Sequence, residues 1–152
     1  MKAYFYSIFI DKLPLIREAL KENDNLIKVL KKKALLLDTS PNLGKYLIAT
    51  LFYLQEVEEM EAIIHSDFED WTEIFFEVTD GATFLFSERT KKSYNLGLHP
   101  DRFSPQKLAQ FYKEYADEVT PLDAECMLQS LMLLHKNIDK AERNKVTLLL
   151  IE

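Results

Sequence analysis

Glu58, Glu61 and His65 stand at i, i+3 and i+7, so a helix through them carries all three on one face. Two carboxylates and an imidazole are donor types that hold a divalent cation. No ExxH or HxxxH spacing accompanies them, and Val57, Met60 and Ile64 make the opposite face apolar. A solvated outer face is therefore expected, with no metal and no cofactor. Cys126 falls in the first turns of a helix, where a thiol can be activated. His135 follows nine residues later on a different face, so a Cys/His nucleophile is not assembled locally. His99 precedes Pro100 and reads as a turn residue. Gly44, Gly81 and Gly97 are isolated, and no GxSxG, P-loop or GxGxxG occurs. No catalytic residue is assigned, and the chain reads as a binding protein before an enzyme.

Charge supplies a stronger signal. The 152 residues carry 19 Lys and Arg against 25 Asp and Glu, a formal charge of −6. Residues 1–45 hold nine cations and five anions, and residues 89–152 hold ten and nine. Residues 46–88 hold eleven anions and no cation. Tyr53, Phe68, Trp71, Phe75 and Phe76 are interleaved with these acids. Carboxylates steer a cationic partner and set specificity, while aromatic side chains anchor an interface. Glu58, Glu61, Asp67, Glu69, Asp70, Trp71 and Glu73 are thus the expected partner-binding residues. The partner is a basic protein, such as a nuclease toxin whose cleft is built for phosphates. The competing interpretation is an acidic outer face neutralised in the fold by Lys28 to Lys33 or Arg89 to Lys92. Lys31, Lys32 and Lys33 form a short basic run on a net acidic chain, which disfavours direct nucleic-acid binding.

The length suits one domain, which buries roughly 70% of its unfolded surface without a disulfide or metal. Five prolines and three glycines exclude collagen-like and linker classes, and 47% hydrophobic content excludes disorder. The opening run Ala3 to Ile10 is short, aromatic and followed by charges, so it reads as a first strand and not a secretion signal. No window reaches the roughly 18 apolar residues of a membrane span. With Cys126 alone, no internal disulfide forms. A cytoplasmic location is expected.

A helix is expected after Asp11, with Leu13, Ile16 and Leu20 inward and Pro14 in its first turn. A second begins at Asn23-Asp24-Asn25 and runs through Leu26, Ile27, Leu30, Ala34 and Leu37. Thr39-Ser40-Pro41 signals a third, whose apolar stretch Leu43 to Leu54 marks a buried helix. Residues 74–79 and 82–86 read as a hairpin around Asp80-Gly81, a dipeptide suited to a type I′ turn. Phe68, Trp71, Phe75 and Val78 also fit a helix, the less favoured alternative. Residues 91–101 read as a loop. Ser104-Pro105 and Thr120-Pro121 start two more helices, with Asp123 completing a capping box. The run Val146 to Ile151 has the character of a strand buried on both faces. The expected fold is a single α+β domain over residues 1–152: a three- to four-stranded sheet packed by five or six helices, its terminal strands paired.

Several patterns resemble the uncharacterised bacterial family typified by YfbM. They are the strand-then-helix opening from Ala3 to Leu20, the Leu37-Asp38 entry into an apolar helix, and Leu96-Gly97-Leu98 before Ser104-Pro105. The ending matches best: a long helix, Asp139-Lys140-Ala141-Glu142, then an apolar strand. Near residues 38–45 the family carries a tryptophan motif, where Leu43 stands here. The resemblance implies a bacterial α+β single domain. It carries no activity and no functional residue. The alternative function it leaves is the binding or processing of a small molecule.

Overall fold

The structure, a computed structural model, describes residues 1–22, 25–60, 69–79, 81–94 and 97–152, with only the backbone of Glu69, Thr72 and Phe76. Among the described residues it forms four strands and seven α-helices, an α+β fold. The strands are β1 (Ala3–Phe9), β2 (Leu35–Ser40), β3 (Ala82–Phe86) and β4 (Lys145–Ile151). The helices are α1 (Leu13–Lys21), α2 (Leu26–Lys33), α3 (Gly44–Glu56), α4 (Glu69–Glu77), α5 (Glu88–Tyr94), α6 (Pro105–Tyr115) and α7 (Asp123–Ile138). That is one more helix than the expected five or six.

The sheet runs β2-β1-β4-β3 and is antiparallel throughout. The two terminal strands do pair. Ala3 lies opposite Ile151, and Lys2 and Glu152 exchange backbone hydrogen bonds of 2.6 and 2.9 Å. Side chains alternate across a strand, so each residue of β1 and β4 commits to one face. Phe5, Leu149 and Ile151 enter a core with α3, α5, α6 and α7. Tyr6, Ile8, Leu148 and Leu150 enter a second core with α1, α2 and α4. Every residue from Val146 to Ile151 is buried, because helices cover both faces of β4. That is the reason its run lacks polar alternation.

Several expectations are corrected. The second helix stops at Lys33, and residues 35–40 form β2 along β1. Leu37 fits the helical stripe, but a non-local strand partner outweighs local spacing. Thr39 and Ser40 are strand residues; α3 starts at Gly44, and the Ser40 hydroxyl accepts from the Leu43 N–H at 3.3 Å. Asp11 lies in a 3-10 turn, and Lys12 stands at the α1 N-cap without a side-chain bond. Residues 74–77 belong to helix α4, so β3 pairs with β4 and not with them. Gly81 has no positive φ, so it does not serve a type I′ turn. Its Cα instead abuts β4: an added Cβ would collide with the Ile151 carbonyl oxygen. Asp80 lies outside the described residues. The loop expected over 91–101 begins as helix α5.

The other caps form as expected. Asn25 accepts from the Ile27 N–H, and Ser104 from the Lys107 N–H. At Thr120 the capping-box-like turn forms, the Thr120 N–H donating to the Asp123 carboxylate and the Leu122 N–H to the Thr120 hydroxyl, but α7 itself starts later than expected, at Asp123, with Leu122 at its N-cap and no side-chain cap bond.

Candidate functional site

The acidic stretch is split between the two layers. Glu56 ends α3, with Glu58 and Glu59 just past it, on one face of the sheet, while Asp70, Glu73 and Glu77 project from α4 on the other. All six are exposed. Among the described residues none is ion-paired, and no ion pair links Lys31, Lys32 or Lys33 to an acid. Neutralisation by the basic run is therefore not seen at these positions. Glu61 and Asp67 lie outside the described residues, as do His65 and Phe68, and for Glu69 only its place in α4 is described.

Trp71 is not a free anchor. It is half-buried against the second core beside Phe75, ring centroids 6.3 Å apart. The Arg17 guanidinium lies 4.7 Å from its ring centroid, a cation–π contact. Asp70, Glu73 and Glu77 thus form the outer stripe of an amphipathic helix. Glu77 also rims a polar cleft of about 520 Å³ with Asn25, Thr79, Gly81 and Glu152.

Acid and exposed aromatic meet at the end of α3. Phe52 and Glu56 are four residues apart and share a helix face. Phe52 is 41% exposed, and its ring centroid is 5.7 Å from that of Tyr115, itself 46% exposed, on α6. Phe111 stacks on Tyr115 with planes 10° apart, bracing the pair from within. Burial, then Tyr112 and Glu56, raise the Tyr115 phenol above its ordinary pKa, so the Glu56 charge is felt at that ring. Tyr53 is buried beneath, and its hydroxyl donates to Glu58 at 3.1 Å. Burial first, and then Glu58, push this phenol up to about 12.

Glu59 adopts φ 53°, the left-handed region that favours glycine, just past the helix. The chain turns there, and the Met60 N–H donates to the Leu54 carbonyl at 3.0 Å. A carboxylate is thus held in a backbone conformation that costs about 1 kcal/mol for a residue with a Cβ. Phe52 and Tyr115 are the residues that sequence reasoning missed. A signal existed: Lys45, Phe52 and Glu56 are spaced seven and four apart along one outward stripe of α3.

The nucleophile and metal readings gain no geometry. Cys126 is half-buried, and among the described residues no hydrogen bond joins it to a histidine. His135 instead meets His99, ring centroids 5.8 Å apart. Among the described residues no group of three or more His, Cys, Asp or Glu is placed to hold a metal. No helix among them is long and apolar enough to cross a membrane. Comparisons with family models, curated proteins and solved structures find no match to this chain.

Proposed function

We propose that this chain is a non-enzymatic protein-binding domain that engages a basic protein, as an immunity or inhibitor protein engages a nuclease toxin. The observation that carries the reading is the exposed Phe52–Tyr115 pair with Glu56 on the same helix face and Glu58 and Glu59 beyond it. Aromatic rings supply a desolvated anchor, and surrounding carboxylates supply long-range attraction. A nuclease presents the matching surface, because its cleft must attract phosphates. The acidic stripe of α4, with Asp70 and Glu73, adds to the overall field from the opposite face of the sheet. Its contribution is to encounter rate, since Trp71 is occupied by Arg17.

The test is affinity capture from the source cells with the tagged chain, at low salt and at increasing salt. A basic protein retained by the wild type should be lost from the double variant Phe52→Ser/Tyr115→Ser. Asp70→Asn/Glu73→Gln should retain it with a weaker salt dependence. A captured nuclease should lose activity when the chain is added. Retention by Phe52→Ser/Tyr115→Ser, or failure to retain any basic protein at low salt, would sink the reading.

A further inference from the structure

We propose that His99 and His135 together chelate one zinc ion, pinning the loop before α6 to the last turn of α7. Their ring centroids lie 5.8 Å apart, with the planes 66° to one another. Two imidazoles on a tetrahedral zinc, each bonded at about 2.1 Å, stand with centroids roughly 5.2 Å apart. The His99 side chain is exposed, so a small rotation of it closes the difference. The pair shares no residue with the Glu58, Glu61 and His65 spacing.

Anchored backbone presents both rings. His99 is the N-cap of the 3-10 turn Pro100–Arg102, between the buried side chains of Leu98 and Phe103. His135 follows the buried Leu134 on α7, and Ile138 is buried one turn later. A chelate whose ligands stand on fixed elements is held close to its binding geometry before the metal arrives. His99 is exposed and His135 half-buried, so an ion reaches the pair from solvent.

The surroundings suit a cation bound by nitrogen. His99 Nδ1 lies 3.4 Å from the Asp101 backbone nitrogen and 3.4 Å from an Asp101 carboxylate oxygen. A carboxylate that takes the Nδ1 proton fixes the tautomer that ligates through Nε2, the usual outer partner of a metal-bound histidine. Among the described residues no hydrogen bond or ion pair engages the His135 imidazole. It stands in the last turn of α7, where the helix dipole favours positive charge. Asp139, one turn on, is engaged by Lys91 at 3.7 Å. No group of three or more donors forms among the described residues, so water completes the coordination. Imidazole nitrogen selects zinc over magnesium and calcium, which take oxygen ligands. Neither Phe52 nor Tyr115 contributes, so this site stands or fails independently of the proposed partner.

Isothermal titration of the full chain with zinc chloride tests it, with magnesium chloride as the control ion. The wild type should take up one zinc per chain and no magnesium. His99→Gln and His135→Gln should each lose affinity by roughly tenfold or more, at least the cost of removing an outer partner, while keeping the wild-type circular dichroism. His65→Gln, which removes the remaining histidine, and Cys126→Ser should bind zinc as the wild type does. The imidazole NMR signals of His99 and His135 should shift together as zinc is added. Absence of uptake, unchanged affinity in His99→Gln or His135→Gln, or loss in His65→Gln overturns the proposal. So does uptake that occurs only with dimerisation, read by sedimentation, since the two rings would then come from different copies.

Discussion

The Tyr46 hydroxyl donates a 2.8 Å hydrogen bond to the Asp123 carboxylate, linking residues 77 positions apart in the chain. Asp123 is buried and also accepts from the Thr120 N–H and hydroxyl. One carboxylate at the first residue of α7 therefore ties the preceding Thr120 turn and α3 to the start of that helix. Burial works to raise the Asp123 pKa, but the Thr120 and Tyr46 hydrogen bonds outweigh it and leave the group below the ordinary carboxylate range. Burial and the same partner raise the Tyr46 phenol. Lys45 lies over the Tyr46 and Tyr112 rings and adds a positive charge beside the pair.

Removing this hydroxyl should be costly. Tyr46→Phe leaves a buried carboxylate short of one donor, a loss of about 1.5–3 kcal/mol. Urea denaturation should show a lower midpoint with an unchanged slope. In a double-mutant cycle with Asp123→Asn the two losses should be strongly non-additive. Additive losses would show that the contact does not couple the helices.

Acid should weaken the fold through two carboxylates. The Lys136 hydrogen bond holds Asp38 below its ordinary value of 3.8, and Asp123 is also lowered. A group with a depressed folded pKa contributes stability that is present above its unfolded value and lost as pH falls through the folded one. Stability should therefore hold at mildly acidic pH and decline below about 4. Asp38→Asn should cost about 0.5–1 kcal/mol at pH 7, since Lys136 is largely exposed, and should flatten the acid limb. An unchanged pH profile in this variant would contradict the assignment.

Gly81→Ala should destabilise by about 2–3 kcal/mol. The new methyl would meet the backbone carbonyl of Ile151, which is held in the sheet between β1 and β3 and cannot step aside. Thermal unfolding with and without the substitution reads this directly. Tolerance of alanine would mean that β4 ends less tightly against residue 81 than described.

Glu59→Gly should act in opposite directions on stability and binding. Glycine relieves the left-handed backbone strain at a smaller entropic cost, for a net gain of about 0.5 kcal/mol. It also removes one exposed carboxylate just past the end of α3, so the association rate with a basic partner should fall, most clearly at low salt. Denaturation and surface-binding kinetics on the same variant separate the two effects. Lower stability in the glycine variant would contradict the strain argument.

Much of this fold is legible where neighbours in the chain decide the outcome. Ser104 caps the helix begun at Pro105, and Thr120 and Asp123 close the turn before α7, because the bonded atoms lie within three residues of one another. Val146 to Ile151 declares a doubly covered strand because every side chain in it is apolar. Leu13, Ile16 and Leu20 face inward as their spacing demands. The acidic bias of residues 46–88 is likewise a property of composition alone.

Distance along the chain hides the rest. Residues 35–37 continue a helical pattern, yet β1, about thirty residues earlier, supplies the ladder that makes them a strand. Residues 74–76 have the β-branched and aromatic types of a strand, but β3 takes β4 as its partner and leaves them to close helix α4. Gly81 looks like a turn glycine until Ile151 arrives beside it from the far end of the chain. The same holds for the candidate interface. Arg17 comes from α1 to cover Trp71, and α6 brings Tyr115 to Phe52. Which aromatic side chains remain open to a partner depends on what packs over each one. Composition states how many carboxylates there are, and the sheet divides the described ones between its two faces.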